Sequence, residues 1–149
     1  MKSGRGMRLL KSVYDMLLSC SPVPPESGGI LGEKDGIVCA VCLDQANQVL
    51  TQAEYRPNVE YLNAVISGWE RTGVDFAGLF HTHLSEQTSL SGSDRYYITQ
   101  IMQALPSSTE KLFFPVVLPG IEVFSYMAFR KGGDILIRED IITIKKENL

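Results

Sequence analysis

The sequence predicts an α/β (α+β) domain, with a central mixed β-sheet flanked by helices. Three observations carry this expectation. Apolar residues recur at helical spacing in two stretches: Leu9, Leu10, Val13, Met16 and Leu17, then Val59, Leu62, Val65, Ile66 and Trp69. Short apolar, strand-like runs bounded by Gly, Pro and Asp fall between and after them. No repeat, low-complexity tract or long linker divides the chain, so residues 1–149 read as one domain.

Taken in order, the first helix spans roughly 7–19, and Pro22, Pro24 and Pro25 stop it. Glu26 to Gly32 is a Gly-rich strand. Glu33-Lys34-Asp35-Gly36 turns the chain, and Ile37 to Leu43 completes a hairpin. The polar stretch 44–57 holds a further strand around 49–53 and then a loop. Asn58 N-caps the second helix and Gly73 closes it. Residues 74–81 form a buried strand, 84–90 a polar loop, and 91–105 a third helix ended by Pro106. Residues 111–118 and 121–130 are strands. Lys131-Gly132-Gly133-Asp134 is a hairpin turn, and 135–144 supplies a last strand or two.

The 149-residue chain is 44% hydrophobic and 21% charged, which excludes a disordered chain. Its net charge is 14 − 17 = −3, and the only basic bias is Lys2, Arg5, Arg8 and Lys11 near the N-terminus with Lys145-Lys146 near the end. No basic stripe is present, so nucleic acid is not the expected partner. No apolar run approaches the roughly 18 residues that a membrane span needs. The stretch after Lys2 and Arg5 is interrupted by Lys11, Tyr14 and Asp15, and reads as an amphipathic helix rather than a signal peptide. Three cysteines, an odd count, then imply reduced thiols and a cytoplasmic location.

The chain has two histidines, and they stand two apart, in His81-Thr82-His83. On a strand, residues i and i+2 share a face, so both imidazoles can grip one ion. By itself such a pair is no more than chance supplies. Ser91 follows His83 by eight residues, and Asp94 by eleven, at the start of a helix. Asp94 in the first turn can face back toward the strand end. Two His and one carboxylate leave a fourth tetrahedral position open to water, the arrangement of catalytic zinc. Ser-x-x-Asp is also close to a helix capping box, and both readings can hold at once. A water on such a metal needs a base, and the leaving amine needs an acid. One glutamate can serve as both in turn. Glu26, just before the Gly-Gly strand, is the candidate.

Glu26-x-Gly28-Gly29-Ile30-Leu31-Gly32, His81-x-His83 and Ser91-x-x-Asp94 together resemble the JAMM motif of the JAB/MPN metalloprotease family. The match covers about half the chain, and the order of elements agrees. The resemblance implies an MPN/JAB-like (cytidine-deaminase-like) architecture and one Zn2+ per chain. It assigns His81, His83 and Asp94 as zinc ligands and Glu26 as the residue that activates the bound water. It assigns Ser91 to stabilising the tetrahedral intermediate. One departure is Leu84, where the family usually has Pro directly after the second histidine. Family chemistry implies hydrolysis of a peptide or isopeptide bond at the Gly-Gly tail of a ubiquitin-like or sulfur-carrier protein. The polar segments 44–57 and 84–90 would line the cleft. Some MPN domains instead serve as scaffolds or interaction modules, and that is the alternative reading. Cys39-x-x-Cys42 has no second cysteine pair to complete a structural zinc site, and residues three apart on a strand face opposite ways. These thiols are expected to be buried and inert.

Overall fold

The computed structural model of the chain describes residues 6–23, 26–44, 58–84 and 88–147. Within them run β1 (Met7–Leu10), α1 (Lys11–Leu18), β2 (Gly28–Lys34), β3 (Ile37–Leu43), α2 (Val59–Arg71) and β4 (Asp75–Thr82). Then follow α3 (Gly92–Ala104), β5 (Lys111–Phe113), β6 (Val116–Leu118), β7 (Glu122–Lys131), β8 (Asp134–Asp140) and β9 (Ile142–Lys145). The architecture is the expected central mixed sheet with flanking helices.

The strands run in the order β5-β7-β6-β4-β2-β3-β1-β9, with β8 beside β7 and β5 also touching β4. The β2–β3, β2–β4 and β7 pairings are antiparallel, whereas β1 lies parallel to β3 and β9, and β4 parallel to β5 and β6. Ile141 joins β8, paired to β7, with β9, paired to β1. The Met7 N–H donates to the Ile141 carbonyl at 2.8 Å and ties this corner.

Helix α1 packs on one face of the curled sheet. Its Val13 and Leu17 are buried with Met7, Leu9, Leu31, Val38, Phe80 and Val117. Helix α3 covers the opposite face, with Ile98 and Met102 against Leu112, Phe114, Val116 and Tyr126. Alternation along the strands sorts residues between the two: Val116 and Val117, or Leu112 and Phe113, go to opposite sides. Helix α2 packs on β2 and β4. The Trp69 ring lies over Gly32, where any side chain would meet it.

One irregularity in β4 decides the site. Leu31 pairs with Gly78, but Gly32 pairs with Phe76, so Ala77 is skipped. This bulge breaks the period of two. Ala77 and Phe80, three apart, both join the α1 side, while Phe76 and Leu79 both face α3. Gly78 has φ 153°, and a Cβ there would run into the Phe113 backbone.

Two expectations need correction. The helix expected over 7–19 begins only at Lys11, and Met7–Leu10 is a strand. Met7 and Leu9 are fully buried on alternate positions, and the parallel partners β9 and β3 override the local helical spacing. The single strand expected over 111–118 is two, broken at Phe114-Pro115, where proline lacks the N–H a ladder requires. The strand expected around 49–53 lies outside the described residues. Asn58 does cap α2, its side chain accepting the Tyr61 N–H at 3.3 Å, and Gly73 follows with φ 83°.

Candidate metal centre

The C-terminal end of β4 is pinned on both sides. The His81 and His83 N–H groups donate to the carbonyls of Pro115 and Val117, at 3.2 and 2.9 Å. The Thr82 N–H donates to the Ser27 carbonyl at 2.8 Å. Thr82 itself is fully buried, and its hydroxyl accepts the Ser27 N–H at 2.8 Å. With Thr82 turned to the α1 side, the bulge and strand alternation send both imidazoles toward α3.

There α3 begins. Ser91 is its N-cap: the hydroxyl accepts the Asp94 N–H at 3.0 Å, and the Asp94 carboxylate accepts the Ser91 N–H at 2.9 Å. This reciprocal box fixes the first turn. It also aims the carboxylate at the strand end. Asp94 Oδ2 lies 3.3 Å from His83 Nε2, and Oδ1 lies 3.5 Å from His81 Nε2. The two Nε2 atoms are 2.9 Å apart, with the rings edge to face at 69°. Burial pushes the Asp94 carboxyl up, but hydrogen bonds from His81, His83 and the Ser91 backbone outweigh it and hold the group well below the usual carboxylate range.

Among the described residues, His81, His83 and Asp94 form a group whose donor atoms all lie within 4.8 Å of one another. Bonds of about 2.0–2.1 Å to a tetrahedral zinc put neighbouring ligand atoms about 3.3 Å apart. The imidazole nitrogens are 2.9 Å apart, and each lies 3.3–3.5 Å from a different oxygen of the Asp94 carboxylate, close to that spacing. Two imidazoles and a carboxylate are also a donor set that zinc accepts. The residues present fit such an ion.

Glu26 reaches the same corner along β2. The ladder pairs Gly28 with His81, which brings Glu26 beside His83 and Leu84, 58 residues away in sequence. The Leu84 N–H donates to Glu26 Oε2 at 3.3 Å. Gly29 holds β2 close to its neighbours: a Cβ there would meet the Cys42 carbonyl and the Phe80 ring. The Ser91 hydroxyl accepts the Asp94 N–H and lies 3.1 Å from Ser93 Oγ, a contact in which either hydroxyl can be the donor. The structure thus gathers all five expected residues at one end of β4. Sequence reasoning missed the Thr82–Ser27 pair and the Leu84 N–H, since a main-chain donor leaves no mark in a residue pattern.

The cysteines stand apart from this group. Cys20 is buried, and burial pushes its thiol up. Cys39 and Cys42 are half-buried rather than fully buried as expected, and Cys42 Sγ contacts the Tyr61 hydroxyl at 3.5 Å. Their strand β3 is covered only in part on either face, which explains the difference.

No protein-family model matches the chain, and no curated protein matches it by sequence. Solved structures do match. A Desulfitobacterium hafniense protein is 20% identical, covers 95% of this chain and 94% of its own, and superposes with a TM-score of 0.60. A JAB1/MPN domain protein from Archaeoglobus fulgidus is 13% identical, with coverage of 95% and 100% and a TM-score of 0.56. The chain is similar in fold to a JAB1/MPN domain protein. A Salinibacter ruber protein, 14% identical over 93% and 92% of the two chains, gives 0.53. At these identities the likeness is one of fold. Among the described residues, no helix is long and apolar enough to cross a membrane.

Proposed function

We propose that this chain is a JAMM-type zinc peptidase or isopeptidase. The observation that carries the reading is the convergence of His81, His83 and Asp94 at one strand end, with Glu26 held beside them. The JAB1/MPN-like fold supports it. A bound zinc would lower the pKa of a coordinated water to about 7 and polarise the scissile carbonyl. His81 and His83 offer Nε2, and Asp94 a carboxylate oxygen, as the protein ligands. Glu26 takes the proton of the attacking water and passes it to the leaving amine. Ser91 donates its hydroxyl proton toward the oxygen on which charge develops.

The substrate class is the Gly-Gly tail of a ubiquitin-like or sulfur-carrier protein. Such a tail enters as an extended, side-chain-poor strand and can add beside an exposed strand edge. Part of the expected cleft lining, 45–57 and 85–87, lies outside the described residues. The test is cleavage of a Gly-Gly-tailed modifier fused to a second protein. Turnover that a chelator stops and zinc restores supports the reading. A zinc-loaded chain that leaves several such fusions intact points to the scaffold alternative.

A further inference from the structure

In the sequence a Pro24-Pro25 pair precedes Glu26, and neither proline has an N–H to donate. The Thr82 N–H donates to the Ser27 carbonyl, but the Ser27 N–H turns to the Thr82 hydroxyl, and there regular main-chain pairing ends. The next N–H of interest on the β4 side belongs to Leu84, directly after the ligand candidate His83. It donates to the Glu26 side chain at 3.3 Å. A glutamate has three side-chain torsions, and nothing in a strand end fixes them unless the carboxylate finds a donor. The His83 N–H is itself tied to Val117, so the donor hangs from a pinned strand.

We infer that the main-chain N–H of Leu84 is a positioning group for Glu26: it fixes the carboxylate relative to the His81–His83 pair, and only a residue with an amide hydrogen can do this at position 84. The inference rests on the reading of Glu26 as the proton-transfer residue. The requirement falls on the backbone, so the Leu84 side chain is free to vary, whereas proline is not tolerated for turnover. Proline is what the JAMM-like pattern usually carries here, so the chain can be expected to fold with it. This chain would therefore hold its glutamate by a contact that the usual pattern lacks.

Two measurements test it. In amide NMR spectra of the protein, with and without zinc, the Leu84 N–H resonance is expected downfield, and Glu26→Ala shifts it upfield. An unmoved Leu84 resonance overturns the inference, whatever the enzyme does. In kinetics, kcat of Leu84→Pro falls about 10²-fold below that of Leu84→Ala, the cost of a misplaced reacting group, with the same zinc content in both. Equal kcat in the two variants also overturns it. If no variant, nor the parent, cleaves any substrate while the NMR shift is seen, the proposed function fails and the hydrogen bond stands. If Leu84→Pro does not fold, the NMR comparison decides alone.

Discussion

Asp94 Oδ2 accepts the Ser91 N–H and faces His83, while Oδ1 faces His81. A single carboxylate therefore starts a helix and completes a donor set. Ser91 supplies the other half of the box, so the two roles can be separated by substitution. Ser91→Ala removes the cap and is expected to cost about 1 kcal/mol of stability in denaturant unfolding, with zinc content unchanged and turnover lowered. Unchanged stability would contradict the capping geometry. Glu26→Gln keeps the metal and loses turnover by about 10²-fold or more; full activity would remove Glu26 from the mechanism. At this scale the sequence was informative. Two histidines two apart and a Ser-x-x-Asp box carry local geometry with them, because strand alternation and helix capping act over a few residues. Glu26 was legible only through resemblance, since its neighbours His83 and Leu84 come from a strand 58 residues away.

At the scale of elements, the bulge in β4 does what no period of two predicts. Without the skipped Ala77, strand alternation from that residue would turn His81 and His83 toward α1 and away from Asp94. Gly78 allows the bulge, with φ 153° and no room for a Cβ against Phe113. Gly78→Val is expected to cost about 1–3 kcal/mol as an overpacking substitution and to weaken zinc retention at a distance. A variant as stable as the parent would show that the bulge is not needed. On β2, burial pushes the Glu33 carboxyl above its ordinary 4.5, with Asp75 adding to the shift and Lys111 opposing it. The folded state then binds more protons than the unfolded one between 4.5 and the raised value, so Glu33 lowers stability as pH rises through that window. Glu33→Gln should therefore stabilise the protein at pH 7, and the gain should vanish below about pH 4.5. A gain that persists at low pH would contradict this assignment. The helix expected from residue 7 failed at this scale too. Leu9, Leu10 and Val13 fit a helical stripe, but Met7 and Leu9 also fit a strand, and only distant partners choose between them.

For the whole molecule, the curled sheet holds β4 centrally, with β2 on one side and β5 and β6 on the other. Helix α1 fills one face and α3 the other, so the candidate ligands sit between a pinned strand end and a capped helix start. That preformed geometry costs little to occupy. An ion that binds the folded chain and not the unfolded one adds about 2.7 kcal/mol of stability at a hundred times its Kd. Zinc should thus raise the Tm of the parent and leave that of His81→Ala unmoved. The link at Ile141 between β8 and β9 was not legible in the sequence, because β8 pairs with β7 and β9 with β1, near opposite ends of the path. The central claim is that His81, His83 and Asp94 hold one metal ion together. Zinc measured per chain after exhaustive dialysis tests it most directly. About one equivalent in the parent, and none retained in the single alanine variants at His81, His83 and Asp94, is the predicted result; variants that retain zinc as well as the parent would contradict it.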